Sequence, residues 1–333
     1  DIYKGTYQGL YCEGCEAAKT LSELNKEGQC LFHPTKQIQK ISEENYFFKW
    51  SKYSSFLKDL IESNPKFVQP EGKRKEMLAF IENGIEDIAV TRPKSKVSWG
   101  INCPIDDTQV IYVWFDALIN YYTYGIQNDF WNDETEIIHI LGKDNAKWHV
   151  LLWPAMLKSV GYKLPDQVYV HSFINLDGQK ISKSRGNVIR SSDLISKYGV
   201  EPVRYYFLRH GPIVEDVDMS IKHFEEAYNS DLANGLGNTV ARVAKLAEKS
   251  GLEFESRFIN PKESFDPTIK QYFEDFRTDL VLQKIWEKLT EIDKHVNVNE
   301  PWKLLTKENT KKLREILQWE IDALREVGVL IEP

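Results

Sequence analysis

Beyond Gln109 the apolar positions fall into short runs, Val110–Phe115, Ile137–Leu141 and Gln167–Val170, each the length of a buried strand. A helix-length stretch, Ala146–Val160, separates the second from the third. Strands alternating with helices in this way predict a parallel α/β layer. Before it, residues up to about Val97 hold no sustained period: an aromatic strip from Asn45 to Tyr53 and one short helical stretch read as a compact irregular segment. After Ser191 the pattern turns helical, with Ser192 placed to cap a helix, Gly199 to stop it and Pro202 to open the next. From Ile221 to Pro333, long amphipathic stretches broken by the polar loop around Asn260 to Pro267 predict a bundle of antiparallel helices. No internal repeat or low-complexity segment interrupts the chain.

At 333 residues the chain is long enough for two domains, at most three, and 42% hydrophobic content is enough to bury a core. The longest apolar runs, Val110–Phe115 and Val150–Met156, fall far short of the roughly twenty residues of a membrane span. No signal segment opens the sequence, so a soluble protein with no membrane partner is expected, cytoplasmic by default with an organellar setting left open. With 43 basic against 50 acidic residues the net charge is -7, which argues against nonspecific attraction to polyphosphate. A nucleic acid, if bound, must be read locally.

Four cysteines are too few for a disulfide framework, and three of them lie in the first thirty residues. Cys12 and Cys15 form C-x-x-C, and Cys30 and His33 form C-x-x-H. Two such knuckles present three thiolates and an imidazole, a set suited to tetrahedral zinc. With all four positions filled by protein, the ion would be structural; the competing reading is a redox pair or incidental thiols. Cys103 reads as an inert buried thiol.

The densest local chemistry is Asp177-Gly178-Gln179-Lys180-Ile181-Ser182-Lys183-Ser184-Arg185-Gly186-Asn187. A glycine-flanked loop with two lysines, two serines and an arginine suits a polyphosphate, whose charge ammonium groups can stabilise as a leaving group departs. By composition alone a solvated basic turn is the default reading.

Lys180-Ile181-Ser182-Lys183-Ser184 resembles the K-M-S-K-S signature of class I aminoacyl-tRNA synthetases, with isoleucine for the usual methionine. Tyr112-Val113-Trp114-Phe115-Asp116-Ala117-Leu118, Leu141-Gly142-Lys143-Asp144, and His149 followed by Trp153-Pro154-Ala155-Met156-Leu157 resemble the methionyl branch of that class. The Cys12, Cys15, Cys30, His33 knuckle is similar to the zinc-bearing connective insertion of many of its members, and Glu44-Asn45-Tyr46-Phe47-Phe48 also resembles it. The likeness continues through Asp231–Asn238 to Glu300-Pro301-Trp302.

The resemblance implies an α/β fold: a partial Rossmann-type parallel sheet with a zinc-bearing insertion, followed by an all-α bundle. Its divisions would be 1–108, the connective insertion; 109–170, the second half of the catalytic domain; 171–225, the lysine-serine loop and stem-contact region; and 226–333, an anticodon-binding domain. The implied reaction activates methionine with ATP and magnesium to methionyl-adenylate, then transfers it to tRNA(Met). Trp114, Ala117, Leu118, Tyr121 and His149 would wall the methionine pocket, an apolar slot with aromatic contacts for a thioether. Gly142 and Asp144 would meet the ribose end of ATP. Lys183, with Lys180, Ser182 and Ser184, would stabilise the phosphates. No side chain need act as nucleophile, because the amino-acid carboxylate attacks the α-phosphate.

In the helical part, Asn238 and Arg242 are four residues apart and share one helix face, while Trp302 sits at a Pro-Trp step. These positions match those the family uses for the first anticodon base, which unpaired can stack on an aromatic ring and bond through its edge. Lys303, Lys307, Lys311, Lys312 and Arg314 are candidates for steering phosphate, against solvated helix charge as the default.

No H-x-G-H occurs in the sequence, although the class carries such a motif in its first nucleotide-binding half. Asp1 aligns inside the connective insertion, so the expectation is a chain inactive alone that needs the N-terminal half, truncated here or separate. The alternatives are a noncatalytic tRNA-binding module and another class I synthetase.

Overall fold

The computed structural model describes residues 1–12, 17–19, 24–25, 27–30, 37–176, 178–180, 189–256 and 266–332. The chain forms two compact units, Asp1–Val170 and His171–Pro333.

The first unit opens with a long hairpin instead of the expected irregular segment. Ile2–Cys12 pairs antiparallel with Ile38–Phe48 along its full length, from Ile2↔Phe48 to Cys12↔Ile38, and Ala17–Lys19 and Ile88–Ala89 flank them in a four-stranded sheet. Most of this hairpin is solvent-facing, so backbone pairing rather than burial defines it, and the sequence shows no alternation to read. Its apolar contacts gather at one end, where cross-strand partners Tyr3 and Phe47 stack with centroids 5.6 Å apart. Phe48, Trp50 and Tyr53 then enter the core.

Two helices, Ser54–Ser63 and Glu71–Glu82, bracket a short strand, Val68–Gln69, that runs parallel to Gln167–His171. Ile138–Gly142 completes this three-stranded sheet on the other side of Gln167–His171. Leu57, Ile61, Phe67 and Ile81 thereby share one core with Leu141, Val150, Leu151, Trp153 and Val168, so packing continues across position 108.

The apolar run from Val110 does not extend as a strand to Phe115. Gln109–Ile111 pairs with Thr91–Pro93, and the chain then turns into a helix over Val113–Ala117. A short apolar run reads alike for a strand and for a half-buried helix, and here two elements divide it. The stretch Ala146–Val160 contains a π-helical turn, Trp148–Leu152, leading into the α-helix Trp153–Val160, which Gly161 stops at φ 76°. That wide turn buries His149, Val150, Leu151 and Leu152 in succession.

In the second unit Ile174–Leu176 pairs parallel with Val217–Met219 and antiparallel with Gln179–Lys180. Helix Ser191–Tyr198 begins one residue before the expected cap, so Ser192 lies in its first turn; Gly199, at φ 88°, ends it before helix Val200–His210. Ser220 caps helix Ile221–Ala227 by accepting from His223 N at 3.1 Å. A π-helical segment, Tyr228–Gly237, then leads into Asn238–Ser250. With Pro267–Glu274, Thr278–Asn299 and Thr310–Ile331 it forms the bundle. Val281, Ile285, Leu289, Ile292 and Val296 recur every three or four residues and pack with Val243, Leu317 and Val327. No described helix is long and apolar enough to cross a membrane.

Candidate functional site

In the first unit Tyr121 and His149 meet. His149 lies 5% exposed on the π-helical turn, and its Nδ1 is 3.1 Å from the Asn145 carbonyl oxygen. A carbonyl only accepts, so Nδ1 carries the proton and Nε2 is left as an acceptor. The Tyr121 hydroxyl, 3.1 Å from Nε2, therefore donates. Burial holds the pKa of His149 below its ordinary value, partly offset by the Asn145 bond, which keeps the ring neutral. The Tyr121 ring is 37% exposed and presents this neutral donor–acceptor pair at the surface of the unit.

The other expected pocket residues divide. Trp114 is half-buried and stacks on Trp148, centroids 5.1 Å apart and planes 9° apart, with the Lys147 ammonium 4.6 Å from the Trp148 ring. Ala117 is half-buried at the end of its helix, with its carbonyl accepting from Asn120. Leu118 is 1% exposed and belongs to the core beneath.

His139 is absent from the sequence-based candidates. It lies 7% exposed on the strand Ile138–Gly142, with its ring 4.5 Å from Tyr121 and 5.7 Å from His149. Burial, with His149 nearby, pushes its pKa down to about 4. Its Nε2 has no hydrogen-bond partner among the described residues. The available signal was the alternation in Ile138-His139-Ile140-Leu141, which puts His139 on the inward face with Leu141.

Gly142 ends that strand in extended conformation, and Asp144 is exposed in the following 3₁₀ turn, Lys143–Asn145. Both stand at the carboxyl end of a strand in a parallel-type layer, where such sheets bind ligands.

Of the lysine-serine loop, Ser182, Lys183 and Ser184 lie outside the described residues. Its entry is defined by backbone: Lys180 pairs with Asn175, and Gly178, at φ 73°, donates its N–H to Asp218 Oδ1 at 2.8 Å. That left-handed turn favours glycine.

In the bundle Asn238, Arg242 and Trp302 line one groove of about 720 Å³, and Asp293, Asn297 and Lys245 share the lining. Arg242 Nη2 donates to Asn297 Oδ1 at 2.7 Å, and its guanidinium lies 5.2 Å from the Trp302 ring centroid. Helix Thr278–Asn299 ends with Glu300 in the left-handed region, and the turn Pro301–Lys303 leaves Trp302 41% exposed. Of the nearby basic residues, Lys303 pairs with Glu300 at 2.7 Å and Arg314 donates to the Glu253 carbonyl; Lys307, Lys311 and Lys312 are exposed.

Cys12, at the end of its strand, and Cys30, bridged to Leu24, are completely buried. Buried thiols near a hairpin tip suit a soft ion. Cys15 and His33 lie outside the described residues, among which no three His, Cys, Asp or Glu side chains are grouped to hold a metal.

Residues 2–244 match the family model described as tRNA synthetases class I (M). The whole chain aligns at 36% identity with a methionine–tRNA ligase of Caldanaerobacter subterraneus, covering 54% of that protein. It aligns at 37% with one of Thermotoga maritima, covering 55%. The chain thus spans about half the length of the curated relatives it matches. Among solved structures, Mycobacterium tuberculosis methionyl-tRNA synthetase in complex with methionyl-adenylate superposes over all of this chain and 69% of its own, with TM-score 0.87 and 30% identity.

Proposed function

This chain belongs to the class I tRNA synthetases (M), and on that premise we propose that it is the part of a methionyl-tRNA synthetase carrying half of the methionine pocket and the anticodon-reading bundle. The observation that carries the reading is the neutral Tyr121–His149 pair, a hydroxyl and an imidazole presented beside aromatic rings. A thioether is a weak acceptor that prefers aromatic edges and cannot use a charged partner well. Trp114 and Ala117 complete the wall.

In the proposed reaction the methionine carboxylate oxygen forms a bond to the α-phosphorus of ATP while the bond to the bridging oxygen breaks, and pyrophosphate leaves with the electron pair. Gly142 and Asp144 position the ribose, and Asp144 accepts from its hydroxyls. Lys183, with Lys180, Ser182 and Ser184, stabilises charge on the departing pyrophosphate. Magnesium arrives with ATP and neutralises phosphate charge. A terminal hydroxyl oxygen of tRNA(Met) then bonds to the methionyl carbonyl carbon while that carbon's bond to the adenylate phosphate oxygen breaks, and AMP leaves with the electron pair and takes up the hydroxyl proton, while Asn238, Arg242 and Trp302 hold an anticodon base. Cys12, Cys15, Cys30 and His33 would hold zinc as a structural crosslink. The setting we propose is the cytoplasm.

Because no H-x-G-H occurs in the 333 residues, this polypeptide by itself should form no adenylate at a useful rate. Methionine-driven ATP–pyrophosphate exchange tests the proposal, with the chain alone and then with the H-x-G-H-bearing half supplied. Exchange only in the mixture is expected. Silence in both, with retained binding of a C-A-U anticodon stem-loop, would favour the tRNA-binding module instead.

A further inference from the structure

Helix Asn238–Ser250 carries Asn238, Arg242, Lys245 and Lys249 at intervals of four, three and four residues, which sets all four on one stripe of its surface. All four line the same groove as Trp302. Asn238 and Arg242 belong to the proposed base site; Lys245 and Lys249 carry the stripe on toward the helix C-terminus and are absent from the sequence-based candidates. Lys303, Lys307, Lys311, Lys312 and Arg314, the residues expected to steer phosphate, do not line the groove.

Three cations three and four residues apart on one helix face repel one another, which costs stability unless anions intervene. Arg242 is engaged, donating to Asn297 at 2.7 Å beside the Trp302 ring. Lys245 and Lys249 are exposed and make no hydrogen bond or ion pair with any described residue, whereas Lys284, Lys288 and Lys303 of the same bundle each meet a carboxylate. The lining offers one acid against the three cations, Asp293, whose Oδ2 lies 2.9 Å from the Thr239 hydroxyl. In a chain of net charge -7 this is a local excess of positive charge, continuous with a site built to hold an unpaired base. Lys245 and Lys249 stand about 6 Å apart along the helix axis, comparable with the step between successive phosphates of an extended strand. We propose that Lys245 and Lys249 form a phosphodiester track: with a base held at Asn238, Arg242 and Trp302, single-stranded RNA lays its next two phosphates along this helix face, one on each ammonium group. The identity of the base rests on the anticodon reading of the groove; the phosphate contacts carry no sequence information.

Affinity for a C-A-U anticodon stem-loop, and for the same stem-loop with its anticodon changed to G-G-G, is measured over a range of salt concentrations, with thermal unfolding alongside. The double variant Lys245→Gln, Lys249→Gln should bind both RNAs about tenfold more weakly and keep the preference for C-A-U, and its log affinity should fall less steeply with log salt, by about 1.4 in slope for two single-strand phosphates. Each single substitution should give about half of that change, and Lys245→Arg with Lys249→Arg should keep the original slope. Trp302→Ala should do the opposite, losing the preference and keeping the slope. If Lys249 serves only to complement the last carbonyls of its helix, the double variant loses thermal stability with its slope unchanged, and an unchanged slope overturns the track while the C-A-U preference of the unaltered chain keeps the anticodon reading. Equal binding of the two RNAs by the unaltered chain, with the slope still reduced in the double variant, defeats the anticodon reading and retains the track. Binding of neither RNA overturns both.

Discussion

Tyr121 donates to His149 across 3.1 Å, and the bond has a fixed sense because Asn145 holds the proton on the other imidazole nitrogen. Removing the hydroxyl leaves Nε2 of a buried ring without its donor. Tyr121→Phe should therefore raise the KM for methionine about tenfold while changing kcat less, because a lost hydrogen bond to a buried acceptor costs about 1–3 kcal/mol and acts on the bound amino acid. Exchange kinetics of the complemented enzyme at varied methionine check this. A change confined to kcat would remove the pair from methionine binding.

His139 gives the first unit a defined acid response. Its folded pKa, about 4, lies below the ordinary 6.5, so the unfolded chain binds more protons between those values. Stability is then complete above pH 6.5 and falls as pH drops toward 4, by roughly 3 kcal/mol for this group. The depressed pKa of His149 acts in the same direction. His139→Phe, which keeps a ring of similar shape, should remove most of that loss, measured as urea unfolding of the chain across this range. An unchanged slope would mean that His139 does not titrate between the two pKa values.

If zinc crosslinks the hairpin tip, chelation should loosen the strands that Cys12 ends and leave the bundle unaffected. Hydrogen exchange after chelator treatment should rise at Leu10, Tyr11 and Cys12 and their partners Ile38–Lys40, with no change in the helix Thr278–Asn299. Cys12→Ser should reproduce the effect without chelator. Metal analysis showing no zinc in the untreated protein would remove the premise.

The α/β alternation and the bundle were legible because Ile137–Leu141, Gln167–Val170 and the stripe from Val281 to Val296 are buried on regular periods. The hairpin was not, since its strands Ile2–Cys12 and Ile38–Phe48 are held mostly by backbone bonds, which leave no side-chain pattern. Asn238, Arg242 and Trp302 could be assembled only through family likeness, because Trp302 reaches the groove from a turn sixty residues after Arg242. Leu118 is turned into the core while Ala117 stays near the surface, a difference in burial that adjacent positions in the sequence do not show. His139 carries no motif, because a buried titratable group is recognised by what surrounds it.

Lys183 offers the sharpest division between binding and chemistry. Its proposed charge acts on pyrophosphate as that group departs, so it contributes more to the transition state than to bound methionine. Lys183→Ala in the complemented enzyme should lower the rate of adenylate formation about a hundredfold or more, the usual scale for losing one preorganised electrostatic stabiliser, with methionine affinity nearly unchanged. Pre-steady-state formation of adenylate, with methionine binding measured separately, distinguishes the two. Lys183→Arg should recover only part of the rate, since a planar guanidinium does not reproduce a compact ammonium at the same distance. Equal losses in rate and in methionine affinity would assign Lys183 to the architecture of the loop and leave phosphate stabilisation to another cation.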